Sequence, residues 1–160
     1  MAVFLSDSQV DEYIREPKEL PYNWLEKLAL RDKRGHRERD LEVRGSNGSR
    51  FHIIIRQSME DPLNFSVILA VSTKSGQMFR LRRYNGKHEH TNTIERIQLN
   101  GCHIHQATER YQQLGGKEDM YAEASDRFAD IQTAIRYMLK DCGFNIPPSP
   151  QVELFEEYQP

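Results

Sequence analysis

A chain of 160 residues with net charge −2, 38% hydrophobic and 29% charged residues has the size and composition of one folded domain, able to build a core without a disulfide or a metal. Seven tyrosines and seven phenylalanines argue against overall disorder. No apolar run reaches the roughly eighteen residues of a membrane span, and the start MAVFLSDSQVDEY lacks a basic leader and a long apolar core, so a cytoplasmic protein is expected.

The charge is unevenly spread: residues 31–56 and 74–96 are basic, whereas 1–30 and 109–160 are acidic. Such asymmetry predicts a local anion-attracting surface on a mildly acidic protein. Cys102 and Cys142 read as two reduced, semi-buried thiols.

Ser6 or Ser8 predicts the cap of a helix running to about Glu16, and Pro21 the first turn of a second helix carrying Trp24, Leu25, Leu28 and Leu30. Residues 31–39 read as an exposed charged connection. After it the periodicity switches from 3.6 toward 2. Strands are predicted at 40–45 (Leu41 and Val43 inward), 50–57 (Phe51, Ile53, Ile55), 64–73 (Phe65, Val67, Leu69, Val71) and 77–84 (Phe79, Leu81). The short links Ser46–Ser49, Glu60–Pro62 and Lys74–Gly76 imply an antiparallel meander.

A fifth strand is predicted from Gly101 to Ala107. A helix from Ser125 or Asp126 to Asp141 follows, with Phe128, Ile131, Ile135, Leu139 and Cys142 on one stripe. Gly143 relaxes its end and Pro147 forbids continuation. The expected fold is therefore α+β: N-terminal helices, a five-stranded antiparallel meander, and a C-terminal helix packed on one face. Residues 1–146 form the domain and 147–160 a Pro-rich acidic tail.

The concentrated chemistry lies in the central segment, where His88, His90, His103 and His105 sit among basic residues. If Phe79 and Leu81 point inward, strict alternation sends Arg80, Arg82 and Tyr84 to the opposite face, as it sends His52 and Arg56. His103 and His105 share a face, their Cα atoms roughly 7 Å apart. Paired imidazoles beside arginine can act as base and acid at a phosphodiester, a metal-independent ribonuclease site with RNA as partner. His88 or His90 would face His103 or His105, with Arg82, Lys87, Arg110 or Tyr111 holding phosphate or base.

Two other readings compete. The pairs His88-x-His90 and His103-x-His105, with Glu89, Glu95 and Glu109 nearby, present ligands to a metal ion. A non-enzymatic module is the other reading, in which the tail with Glu153, Phe155, Glu156, Glu157 and Tyr158 docks on a basic protein. The sequence leaves self-association open. A G-x-S-x-G elbow, a Walker A loop, a Rossmann fingerprint and a C-x-x-C pair are all missing, so the hydrolase, nucleotide-phosphatase and redox classes have no local support. Cys142 reads as core filling, Ser125-Asp126 as a helix cap and Gly115-Gly116 as a loop turn.

The run FRLRRYNG, then HTN, then GCHIH followed by T-E-R-Y, then a helix ending in DCGF, resembles a group of small uncharacterised bacterial proteins over about residues 77–144. The positions carrying it are Arg80, Leu81, Gly86, His90, Asn92, His103, Ile104, His105, Glu109 and Tyr111. The resemblance implies a bacterial or phage-related cytoplasmic protein of toxin–antitoxin or defence cassettes. Residue reading and resemblance together predict His90, His103 and His105 as the acid–base residues. Arg80, Arg82, Lys87, Asn92, Glu109, Arg110 and Tyr111 would bind phosphate or nucleic acid, with no cofactor and no metal assigned.

Overall fold

The computed structural model describes residues 3–148, and its first element obeys a local capping signal. Helix α1 (Asp7–Arg15) starts at Ser6, whose hydroxyl accepts from the Gln9 amide while the Gln9 side chain accepts from the Ser6 amide. Strand β1 (Lys18–Glu19) follows, then α2 (Trp24–Lys27), which is a single turn with no side-chain cap.

The sheet is laid down by β2 (Arg31–Asp32), β3 (His36–Arg44), β4 (Arg50–Ser58), β5 (Phe65–Ser72) and β6 (Met78–Asn85). The chain then makes a small hairpin, β7 (His90–Asn92) and β8 (Ile97–Leu99), before rejoining the sheet as β9 (His103–Gln106). Helix α3 (Glu109–Gln113), strand β10 (Tyr121–Ala124), helix α4 (Ile131–Asp141) and strand β11 (Phe144–Asn145) complete the described chain.

The order β10-β9-β6-β5-β4-β3-β2 is an antiparallel meander of seven strands, interrupted by the β7–β8 hairpin before β9 and by α3 before β10. The five predicted strands all form. The two additional ones lie at the sheet edges, and the first strand begins at His36, inside the stretch read as a connection. Its charges do not prevent pairing because they are matched across the ladder, Glu38 opposite Arg56 and Glu42 opposite His52. Helix α4 starts at Ile131, later than the predicted 125: Asp130 and Thr133 form the capping box, while Ser125 only accepts from the Arg127 amide in the preceding turn.

One sheet face carries the core. Phe51, Ile53, Ile55, Val67, Leu69 and Val71 are buried there beneath Ala134, Ile135, Met138 and Leu139 of α4 and Val10 and Ile14 of α1. Gly143 follows the Cys142 cap at φ 74°, and a Cβ there would come within 3.3 Å of the Arg15 and Glu16 carbonyls that end α1, so a side chain would be both strained and crowded. Parallel pairing of β1 with β11 joins the exits of α1 and α4. Between them the buried Lys18 ammonium donates to the carbonyls of Tyr13, Ile14, Glu16 and Cys142 at 2.7–2.9 Å. Both cysteines are free, Cys142 buried and Cys102 half-buried. The expected tail contacts at 149–160 lie outside the described residues.

Candidate functional site

Strand β6 does not alternate strictly, and this decides which groups meet. Leu69 of β5 pairs with Arg82 and Ala70 with Arg80, so a β-bulge at Leu81 places one extra residue on β6. Leu81 and Arg82 therefore both face the helix side. Arg82 donates to Asp141 (2.8 Å) and Gln106 (2.5 Å), and Tyr84 donates to Asp141 (2.5 Å). The expectation that Arg80 and Arg82 share a face with the histidines is corrected: Arg80 is on that face, Arg82 and Tyr84 are not.

On the opposite face β9 brings His105 beside Arg83 and His103 beside Asn85. The β7–β8 excursion folds back so that His88 and His90 join them. Ring centroids lie 4.9 Å apart for His103–His105, 4.5 Å for His90–His105, 5.8 Å for His90–His103 and 5.0 Å for His88–His103. His103 and His105 are 0% and 2% exposed, whereas His88 and His90 are half-buried.

Each ring has one nitrogen engaged. His103 Nδ1 donates to the Gly101 carbonyl (2.8 Å) and His105 Nδ1 to the Asp119 carbonyl (2.9 Å), which leaves both Nε2 atoms as lone pairs. His90 Nε2 lies 3.0 Å from Asn92 Oδ1, and His88 Nε2 3.2 Å from the Asn85 amide nitrogen. The Nε2 atoms of His103 and His105, Nδ1 of His88 and Oδ1 of Asn85 are buried without a hydrogen-bond partner. As the rings stand, no three His, Cys, Asp or Glu side chains among the described residues form a group able to hold a metal ion. Turning the Asn85 amide offers its Oδ1 to His88 Nε2–H and makes His88 Nδ1 a second kind of free lone pair.

Burial favours the neutral imidazole at His88, His103 and His105. His105 is pushed down to about 2, chiefly by desolvation, with Arg83 and the neighbouring histidines adding to it. Burial also lowers His103, against the Gly101 hydrogen bond, and lowers His88 together with Arg83 and His90. An imidazole that stays neutral down to that range donates no proton as a general acid at neutral pH.

The remaining predicted site residues are dispersed. Lys87 is exposed, and its amide donates to Leu63 O. Asn92 is buried and pairs in both directions with the backbone of Ala122, donating to its carbonyl at 2.6 Å and accepting from its amide at 2.9 Å. Glu109 ties the starts of α3 and α1 through reciprocal contacts with Asp7. Arg110 and Tyr111 both donate to Glu95, and Tyr111 also accepts from the Ile94 amide, which anchors the hairpin turn. Asn92, which also accepts from His90, supports the cluster directly, whereas Arg110 and Tyr111 position the excursion and Glu109 joins two helix starts.

Three participants escape sequence reading: Arg83, Asn85 and Asp119. Asp119 is fully buried, 3.4 Å from Arg83 and 3.6 Å from Arg80, whose guanidinium also holds Glu118 at 2.6 Å. A lone G-G-K-E-D turn gives no hint of this. Part of the predicted basic surface is paired with carboxylates as well: Arg37 with Asp32, Arg50 with Glu42 and Arg56 with Glu38. No protein-family model, curated protein or solved structure matches the chain. Among the described residues no helix is long and apolar enough to cross a membrane.

Proposed function

We propose that His88, His90, His103 and His105 form a transition-metal-binding site that closes the β7–β8 excursion over the sheet. The observation that carries this reading is the pair of Nε2 lone pairs on His103 and His105, buried without partners and held in that tautomer by backbone carbonyls. Metal-bound histidines characteristically donate their other N–H to a carbonyl or amide oxygen. Four imidazoles around a tetrahedral zinc at Zn–N of about 2.0–2.1 Å place ring centroids about 5 Å apart. The separations of 4.5–5.8 Å among His90, His103 and His105, and the 5.0 Å from His88 to His103, bracket that value, and ligation requires these rings to rotate.

The test uses untagged protein stripped with a chelator and titrated with Zn²⁺, and with Co²⁺ for its absorption spectrum. One ion per chain is expected, with binding lost in His103→Ala and His105→Ala. Wild-type binding no tighter than that of the double variant would overturn the reading.

A second reading, RNA cleavage without metal, is favoured by one observation: His88 and His90 are half-buried beside the exposed Lys87, so the outer rim of the cluster is reachable. Cleavage that persists in EDTA and disappears in His90→Ala supports it. In that case the buried pair orients the rim rather than exchanging protons.

A further inference from the structure

On the helix face, away from the histidines, a cavity of about 470 Å³ opens between α2, the first turns of α4 and the ends of β3 and β4. Trp24, Leu25, Leu28, Leu30, Ile131 and Ile135 form its apolar wall, and no carboxylate lines it. It offers apolar area rather than free charge, because Arg37 and Arg136 on its rim are already engaged, Arg37 with Asp32 at 3.1 Å. The chain leaves β11 near this cavity: β11 is parallel to β1, whose continuation enters α2, and the Leu20 amide donates to the Asn145 carbonyl at 3.1 Å. Pro147 and Pro148 then bar a helix and favour an extended exit. Twelve residues follow Pro148, and those at 151–158 read QVELFEEY, apolar side chains set among glutamates.

We propose that residues 152–155 of the same chain cover this cavity, with Leu154 and Phe155 against Leu28 and Ile131. Helix α4 has eleven residues and a length of about 16 Å, which sets the distance from its C-terminal end back to the cavity at its first turns. At about 3.3 Å per residue, Val152 to Phe155 extend about 13–23 Å beyond Pro148, enough to reach it. With no carboxylate in the lining, Glu153, Glu156 and Glu157 meet no like charge there. Tethering favours this occupant over a separate molecule, because a short linker holds the segment at an effective concentration of about millimolar.

The test follows the methyl signals of Leu28, Ile131 and Ile135 in the full-length protein by nuclear Overhauser spectroscopy. Contacts to the Phe155 ring are expected. Leu154→Ser combined with Phe155→Ser should shift the Ile131 and Ile135 signals, whereas Glu156→Gln combined with Glu157→Gln should leave them in place. No contact between residues 152–155 and these methyls overturns the proposal. Contacts found only between labelled and unlabelled chains in a mixed sample overturn the assignment to the same chain and make the occupant a second copy. Shifts as large in the glutamine variant overturn the apolar basis of the contact. All four substitutions lie outside the core residues, so folding does not decide the outcome.

Discussion

The two faces of the sheet answer different physical demands. The helix face is apolar and continuous: Ile53, Leu69 and Leu81 are fully buried against α4 and α1, and substitution there acts through transfer and cavity terms. The opposite face near β6 and β9 is buried too, yet it is filled with imidazoles, Asn85, Arg83 and Asp119, several carrying unpartnered atoms. Burial without satisfied hydrogen bonds costs stability, so such a region is where function is to be sought, not where the fold gains its strength.

The sharpest way to break that contrast is a matched pair of variants. Leu69→Ala should cost about 3–5 kcal/mol in denaturant unfolding, because its site cannot collapse under α4. His105→Leu should cost only about 1 kcal/mol, since it removes an unpartnered Nε2 along with one bond to a carbonyl. It should nevertheless remove metal binding altogether. Equal destabilisation by the two would mean that the histidines are ordinary core.

Lys18 is, with Glu16, an exception on the helix side, a charge buried where apolar groups dominate. Lys18→Met leaves the carbonyls of Tyr13, Ile14, Glu16 and Cys142 without their donor and should cost about 2–4 kcal/mol. Burial lowers the Lys18 pKa to about 8, against about 10.4 in an unfolded chain. Between those values the folded state binds fewer protons, so this group's contribution to stability rises with pH across the window. The difference between wild type and Lys18→Met should therefore widen from pH 8 to about 10 in parallel denaturation curves. A flat difference would show the ammonium to be solvated.

Asn92 connects the faces' edge to the excursion. Asn92→Ala removes both contacts to Ala122 and should raise hydrogen exchange at residues 90–99 while costing about 1–3 kcal/mol. Unchanged exchange there would place the anchoring of the hairpin in Arg110 and Tyr111 alone.

Alternation and capping made most of the helix face readable in advance. Val43, Phe51, Ile53, Ile55, Phe65, Val67, Leu69, Val71, Phe79 and Leu81 are all buried as their period requires, and Ser6 caps α1. The sharing of a face by His103 and His105 followed from the same rule. The bulge at Leu81 did not, because an extra residue leaves the local pattern of apolar residues intact while reversing everything after it. Asp119 and Asn85 were invisible for another reason: their burial depends on a loop and a hairpin folding over the sheet, contacts remote in sequence.

That bulge also supplies the finest discrimination between the faces. Arg82 and Arg83 are adjacent in sequence but lie on opposite sides of the sheet, Arg82 with Asp141 and Arg83 with Asp119 and the histidines. A cation entering the cluster is repelled by the Arg83 guanidinium, and at an effective dielectric near that of protein surfaces one neutralised neighbour is worth on the order of 1 kcal/mol. Arg83→Gln should therefore tighten Co²⁺ binding about fivefold, and the uncovered Asp119 carboxylate acts in the same direction. Arg82→Gln should leave the affinity unchanged while weakening the anchorage of Asp141 and Tyr84 by about 1 kcal/mol. Strict alternation predicts the reverse, with Arg82 coupled to the histidines and Arg83 silent. Titration of the two single variants thus tests the bulge, the face and the site together, and equal responses would deny all three.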